Sequence, residues 1–210
     1  LALSTEPDTI TVTDGFLRLG MKGLAYAETP NQPYPAPGSL AWTCGGVGGP
    51  PAPPNTPIAA GLHDDFINQL LYGVWAGGTL AIDLSGEATA GLDLAQFGIA
   101  LDQVIVDALM PLTLNGCGGD LRLQIGDLYL DTTLDLLGSP SHLALWINGE
   151  AAIAVSSAAI TEGPEAGQTA LSFDIAGLDP LYIDVVTNEG FFEGDDPGLQ
   201  ELIRDQLLPI

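Results

Sequence analysis

The chain has 210 residues, 46% of them hydrophobic, and a formal net charge of −23 that arises from 27 acidic and only four basic side chains. This length and apolar content can form a sizeable core, and one domain over residues 1–210 is the prediction. The negative field repels phosphate backbones and anionic headgroups, which excludes nucleic acid as a partner and disfavours electrostatic docking to anionic membranes.

The cysteines and the chain start indicate where the protein works. No run of residues approaches the roughly 20 apolar positions that span a bilayer, and residue 1 opens no secretory leader, so the chain is interpreted as mature or trimmed. Cys44 and Cys117 are the only cysteines and both lie among glycines, whose backbone can adapt to disulfide geometry. A bridge is favoured over two unrelated thiols, and it predicts an oxidising compartment: a secreted, periplasmic or outer-surface bacterial location.

The first sixty residues divide into an alternating segment and a long loop. Between Thr9 and Ala27 the apolar residues fall on a two-residue period, typical of strands with one covered face. Residues 29–60 are crowded with proline and glycine, which supports neither a helix nor a central strand. The glycines at 45–49 lack the Lys-Ser/Thr ending of a phosphate-binding loop, so no nucleotide site is predicted there.

The clearest predicted helix covers Leu62 to Trp75. Large apolar residues recur along it at intervals of three and four, and Asp64 and Asp65 suit the positive end of the helix dipole. Gly77-Gly78 ends the helix before the chain resumes a strand.

Beyond residue 85 the pattern predicts one more short helix, a β meander and a closing helix. A second, weaker helical pattern covers Leu94 to Leu109. Alternating tracts from 121 to 185 predict the meander, with a turn or bulge at Gly126-Asp127, where the apolar positions switch parity. Asn148-Gly149 is a strong hairpin signal whose turn type stays open. Leu199, Leu202, Ile203 and Leu207 lie on one side of the closing helix.

The residues that catalysis or metal binding requires are sparse. His63 and His142 are the only histidines, the cysteines lack zinc spacing, and there is no Gly-x-Ser-x-Gly nucleophile turn. The acidic run at 193–196 lacks the alternating ligands of a calcium loop. No catalytic residue, metal or cofactor is predicted. A hydrolase whose Ser, His and Asp are scattered along the chain is a further hypothesis, which substitution of the two histidines would test.

One segment resembles a known family. Residues Leu62 to Leu80 resemble the helix-to-strand segment of the bactericidal/permeability-increasing protein family, in the tubular lipid-binding superfamily. The shared elements are an Asp at 64 or 65, Phe66, Asn68, Tyr72 and Gly78 before a strand. Over residues 60–210 the resemblance is one of element order, and the strands that normally follow the last helix are missing after Ile210. The chain is then a fragment, or its final strands come from elsewhere.

The resemblance implies an α+β fold with a long helix wrapped by a twisted antiparallel sheet, together with a short second helix and a C-terminal helix. An apolar tunnel between helix and sheet would bind a hydrophobic lipid, and neutral, zwitterionic or sterol-like lipids suit the acidic chain better than anionic ones. Transient membrane contact fits the same reading. The implied lipid-binding residues are Phe66, Ile67, Leu70, Leu71, Val74, Trp75, Leu145, Ile147, Phe173 and Ile183. The alternative is a ligand-free cell-surface or assembly module on the same fold.

Overall fold

Antiparallel β-strands make up most of the chain in this computed structural model, which describes residues 1–13, 16–31, 63–85, 99–117, 121–159, 163, 169–190 and 193–204. Two helices are present in that part of the chain, α1 (Asp64–Ala76) and α2 (Asp196–Leu202). The strands are β1 (Ala2–Thr13), β2 (Phe16–Tyr26), β3 (Ala81–Ser85), β4 (Ile99–Ala108), β5 (Thr113–Asn115), β6 (Leu121–Leu136), β7 (Ser139–Ala159) and β8 (Thr169–Glu189).

The chain forms two compact units. The first comprises Leu1–Leu80 and Pro111–Leu114, and the second comprises Ala81–Met110 and Asn115–Ile210. The hairpin of β1 and β2 and the helix α1 belong to the first unit, and the strands β3, β4, β6, β7 and β8 and the helix α2 belong to the second.

In the first unit, β1 and β2 pair as an antiparallel hairpin from Ala2 opposite Tyr26 to Thr13 opposite Phe16. This confirms the strands that the alternating pattern predicts. The register shifts between Pro7 and Thr9, so one extra residue, Asp8, is inserted in β1. A bulge of this kind changes which positions of a strand share a face.

The second unit contains an antiparallel sheet in the order β3, β4, β6, β7, β8. The predicted irregularity at Gly126-Asp127 is confirmed, because the register of β6 against β7 shifts between Ile125 and Leu128. Asp127 has a φ of 46° there, and its backbone N–H donates to Oδ1 of Asn148 at 2.9 Å. The chain reverses from β6 to β7 at Leu137-Gly138, both with positive φ, as a two-residue hairpin turn requires.

The hydrophobic core of the second unit lies between α2 and one face of the sheet. Leu199 is 1% exposed and, with Ile203, packs against buried leucines of β6 and β7 and against Ile183 of β8. Asp195 caps α2 by accepting from the backbone N–H of Gly198 at 3.0 Å. The predicted closing helix is therefore present, beginning at Asp196.

The predicted α+β arrangement of a long helix wrapped by a sheet is wrong. The described chain is mostly strand, and its helices have only 13 and seven residues. The short second helix predicted over Leu94 to Leu109 is wrong as well, because Ile99–Ala108 is strand β4, paired with β3 on one side and β6 on the other; residues 94–98 lie outside the described chain. A short apolar run fits both the 3.6-residue period of a helix and the two-residue period of a strand. In this run the three consecutive β-branched residues from Val104 to Val106 favour the strand.

The hairpin signal at Asn148-Gly149 is also misleading, since both residues lie inside β7. Asn148 instead completes the bulge of β6 by accepting the hydrogen bond from Asp127. The dipeptide that favours a turn locally is used here for a cross-strand contact.

Candidate functional site

Helix α1 contacts the hairpin through a stripe of its own residues that recur at helical spacing. The ring of Phe66 covers Gly23 of β2 so closely that a side-chain carbon on Gly23 would collide with it. One turn further, Oε1 of Gln69 accepts from the backbone N–H of Ala25 at 3.4 Å. Gly73 follows at the next turn, buried against the hairpin. The sequence contains a signal for this contact, because the aromatic Phe66, the polar Gln69 and the small Gly73 recur at helical spacing.

A second side of α1 is fixed by a buried polar contact. Nδ2 of Asn68 donates to the carbonyl of Leu114 at 2.9 Å, and the backbone N–H of Leu114 donates to Oδ1 of Asn68 at 2.6 Å. Asn68 is 1% exposed, so its amide replaces water for both backbone groups of Leu114. Trp75 is also buried, at 2% exposure, and its ring centroid is 5.7 Å from that of Tyr72. Asn68, one of the residues that carry the family resemblance, thus has a structural role in this chain.

The large aliphatic residues of α1 form a third stripe, which is only half-buried. The helix is buried at Asn68, Gly73, Trp75 and Ala76, whereas the aliphatic side chains keep part of their surface in solvent. Their spacing of three and four places them on one face of the helix. We refer to this set as the aliphatic stripe; it consists of Ile67, Leu70, Leu71 and Val74.

The predicted lipid-binding residues fall into the two units. Those of α1 lie in the first unit, and the four from β7 and β8 lie in the second. Leu145 and Ile183 are buried in the core that α2 completes, and Ile147 packs against that core while half-buried. Phe173 pairs through its backbone with Val155, and its side chain lies outside the described part of the structure.

The start of α1 gathers three potential metal ligands. His63 is the N-cap, with its Nδ1 3.3 Å from the backbone nitrogen of Asp65 and 2.9 Å from Oδ1 of Asp64. The ligand atoms of these three residues lie within 4.8 Å of one another. Carboxylates at a helix N-terminus also stabilise the helix dipole, so this geometry is explained by capping alone.

His142 lies among acidic side chains of the second unit. Its Nε2 is 2.9 Å from Oδ1 of Asp131, and its Nδ1 is 4.0 Å from Oε2 of Glu189. Only the contact with Asp131 is within hydrogen-bond distance. Tyr129 donates to Oδ2 of the same Asp131 at 3.1 Å, and its pKa is raised first by burial and then by that hydrogen bond.

The two cysteines differ in what the structure describes. Cys117 lies just after β5, and its backbone N–H donates to Oδ1 of Asn115 at 2.9 Å. Its predicted partner Cys44, like the rest of residues 32–62, lies outside the described chain. The Cys44–Cys117 pairing therefore stays a prediction.

Comparison with known proteins adds no relative. No protein-family model matches this sequence, and neither the curated proteins nor the solved structures yield a similar protein. The resemblance of residues 62–80 to the bactericidal/permeability-increasing family stays a prediction. None of the helices in the described residues is long and apolar enough to cross a membrane.

Proposed function

We propose that this protein is a non-catalytic binder or carrier of a hydrophobic lipid, and that its acyl-chain contact is the aliphatic stripe of α1. The observation that carries the proposal is the incomplete burial of the aliphatic stripe of this helix. An amphipathic helix normally buries its large aliphatic residues and exposes its polar ones. Here Asn68, Gly73, Trp75 and Ala76 are buried, while the aliphatic stripe keeps solvent-accessible surface.

The way α1 is held makes this apolar surface available. Its contacts with the hairpin use Phe66, Gln69 and Gly73, and its contact with Leu114 uses Asn68. None of these four positions belongs to the aliphatic stripe. The hydrogen bonds and close contacts described for α1 therefore lie outside the stripe.

The energy available from such a contact is large. Each methylene removed from water contributes about 0.8 kcal/mol, so a sixteen-carbon chain gains on the order of 13 kcal/mol before its ordering costs. The charge of −23 favours a neutral, zwitterionic or sterol-like headgroup. The tunnel between a helix and a wrapping sheet is not part of the proposal, because that fold is absent from the described chain.

The test is organic extraction of the purified protein with lipid analysis, followed by titration with a fluorescent fatty-acid probe. We expect copurified lipid and saturable probe binding, weakened about tenfold or more by the double substitution Leu70→Gln and Val74→Gln. Glutamine keeps helix propensity high. Tyr182→Gln, which alters a side chain 66% exposed on β8, is the matched control and should bind as the parent does. An extract without lipid together with no probe binding contradicts the proposal.

The alternative, a ligand-free cell-surface or assembly module, is supported by the second unit. Leu145 and Ile183, which the resemblance assigns to a lipid-binding wall, are 2% and 8% exposed and pack with α2. In that unit the protein's own side chains occupy the apolar face. A folded protein that binds no acyl probe would favour this alternative.

A location outside the cytoplasm belongs to the same proposal. Structural disulfides persist in oxidising compartments, and the sequence predicts that Cys117 pairs with Cys44. Intact mass measured on protein isolated with thiols blocked tests this: a bridged chain is two hydrogens lighter than the doubly reduced one. Two alkylated thiols in protein from its native source would contradict it.

A further inference from the structure

Between Thr9 and Met21, the hairpin of β1 and β2 has two chemically different faces. Cross-strand partners share a face, so Ile10 lies with Leu19 and Val12 lies with Leu17. The inserted residue Asp8 changes the parity of β1, which keeps Ile10 and Val12 on the same face as the odd-numbered residues of β2. We call this set the apolar hairpin face; it consists of Ile10, Val12, Leu17, Leu19 and Met21.

Helix α1 covers only one end of this side of the hairpin. Gly23 and Ala25 continue the odd-numbered row of β2 and lie beneath α1, where Ala25 is 4% exposed. The five members of the apolar hairpin face are between 55% and 75% exposed. A half-covered sheet normally places its polar residues on the solvent side, so this exposed row is the reverse of ordinary patterning.

The hairpin also differs in charge from the rest of the chain. Residues 1–26 contain two basic and three acidic side chains, whereas the remaining residues contain two basic and 24 acidic ones. The basic pair, Arg18 and Lys22, lies on the opposite face with Thr9 and Thr11, and Nζ of Lys22 is 2.8 Å from Oδ1 of Asp8. The hairpin is thus a nearly neutral, amphipathic element of an otherwise acidic chain.

The chemistry of this face favours hydrocarbon over protein. Interface centres are enriched in Tyr, Trp and Arg and carry about one hydrogen bond per 100–200 Å². The apolar hairpin face has five aliphatic or thioether side chains and no polar side chain among them. It exposes on the order of 500 Å² of apolar surface, less than the about 800 Å² per partner that a stable dimer buries.

We propose that the apolar hairpin face docks on a bilayer of zwitterionic lipid, with the aliphatic row entering the acyl boundary and the threonine and basic face remaining in water. This goes beyond lipid binding by α1 and does not depend on it. Amphipathic helices bind membranes in the same way, with the apolar face buried at the boundary between headgroups and acyl chains. Because the whole protein carries −23, anionic headgroups repel it, and the preference for neutral over anionic membranes is largest at low salt.

Vesicle flotation of the full chain tests the proposal. We expect the protein to float with phosphatidylcholine vesicles, and to float less when phosphatidylglycerol replaces part of the phosphatidylcholine, with partial recovery as NaCl screens the repulsion. The substitutions Ile10→Thr and Leu19→Thr together should lower partitioning about tenfold or more, because threonine keeps strand propensity but removes aliphatic surface.

Two controls separate docking from misfolding and from α1. Val186→Thr alters a residue of β8 that is 54% exposed and should float as the parent does. The α1 variant with Leu70→Gln and Val74→Gln should still float, and the hairpin variant should still bind the fatty-acid probe. Thermal unfolding checks that each variant folds. The proposal would be overturned if the protein does not float with phosphatidylcholine vesicles, or if the folded hairpin variant floats as well as the parent. It would also be overturned if the protein forms a dimer in place of floating and the hairpin variant is a monomer.

Discussion

Asn68 shows how one buried side chain can fix the place of a helix. Its amide meets both the N–H and the C=O of Leu114, so a single side chain pairs with Leu114 as a neighbouring strand would. Buried backbone groups are almost always paired, and leaving two of them without partners is costly. The amide is the side chain that offers a donor and an acceptor at this spacing.

Replacing Asn68 by leucine should therefore lower the free energy of unfolding by about 2 to 4 kcal/mol, because two buried backbone groups lose their partners. Urea unfolding followed by circular dichroism measures the change. Gln69→Leu on the same helix is the matched control: its one hydrogen bond, to Ala25, is 3.4 Å long and only part-buried, so we expect a loss of about 1 kcal/mol or less. Equal losses for the two variants would contradict the role given to Asn68.

A second prediction concerns Glu150 of β7, whose carboxylate contacts Arg122 of the neighbouring strand β6. The hydrogen bond from Arg122 at 2.6 Å, and then that from Gln124, holds the pKa of Glu150 below its ordinary value of 4.5. A lowered pKa means that the folded state binds this proton more weakly than the unfolded state does. The stabilisation is complete above the ordinary pKa and is lost as the pH falls through the lowered one.

Arg122→Gln should raise the pKa of Glu150 back toward its ordinary value, and Gln124→Ala should raise it by less. Carboxyl-carbon NMR titration measures both pKa values. The pair lies at the surface, so its effect on the overall free energy of unfolding should be small and should weaken with added salt. An unchanged Glu150 pKa in Arg122→Gln would refute this assignment.

At the scale of the elements, the contact between α1 and the hairpin depends on close approach at Gly23. Glycine inside a strand ordinarily weakens it, so alanine should stabilise β2 wherever space allows. At Gly23 the ring of Phe66 occupies that space. Whether alanine at position 23 raises or lowers the free energy of unfolding therefore shows whether α1 lies on the hairpin at this point.

We expect Gly23→Ala to destabilise the protein by about 1 to 3 kcal/mol through overpacking. Combining it with Phe66→Leu should recover part of that loss, which gives a coupling between the two sites in a double-mutant cycle. Gly126→Ala serves as the control, because the nearest atom to its added carbon is Sδ of Met110 at 3.6 Å, an ordinary contact. A stabilised Gly23→Ala variant would show that α1 does not lie there.

The elements differ in how far sequence patterns could predict them. The hairpin, the long strands of the meander and α1 were predictable because each repeats its period over ten or more residues. Strand β4 was mistaken for a helix because its apolar residues fit both periods, and pairing with β3 and β6 decides between them. The helix predicted from residue 62 is present as α1, but its resemblance to a family segment could not predict that it has only 13 residues.

The candidate site was predictable in part, for a reason that belongs to the whole molecule. Periodicity identified the apolar residues of α1, but it does not specify which of them the rest of the chain buries. The structure buries Trp75 and leaves the aliphatic stripe half-buried, and it uses Leu145 and Ile183 for the core with α2. The apolar hairpin face was expected to be covered, because alternation alone does not show that α1 covers only the rows at Gly23 and Ala25.

The net charge leads to a prediction for the molecule as a whole. With 27 acidic and four basic side chains, like charges repel in the compact state, and unfolding relieves that repulsion. Added NaCl screens the repulsion over distances of about 10 Å at 0.1 M. The protein should therefore become more stable as the salt concentration rises at neutral pH.

Thermal unfolding at pH 7 should show a Tm that rises with NaCl, by about 2 to 4 °C for each kcal/mol of repulsion removed in a chain of this size. The same salt series close to the isoelectric point, about 4.1, is the control, because there the net charge is near zero and little repulsion remains to be screened. A chloride effect acting through apolar hydration would instead raise the Tm equally at both pH values. Equal shifts in Tm at both pH values would therefore reject electrostatic self-repulsion as the cause. A shift in Tm confined to neutral pH would establish self-repulsion, and the same screening would then predict the recovery of vesicle binding by salt.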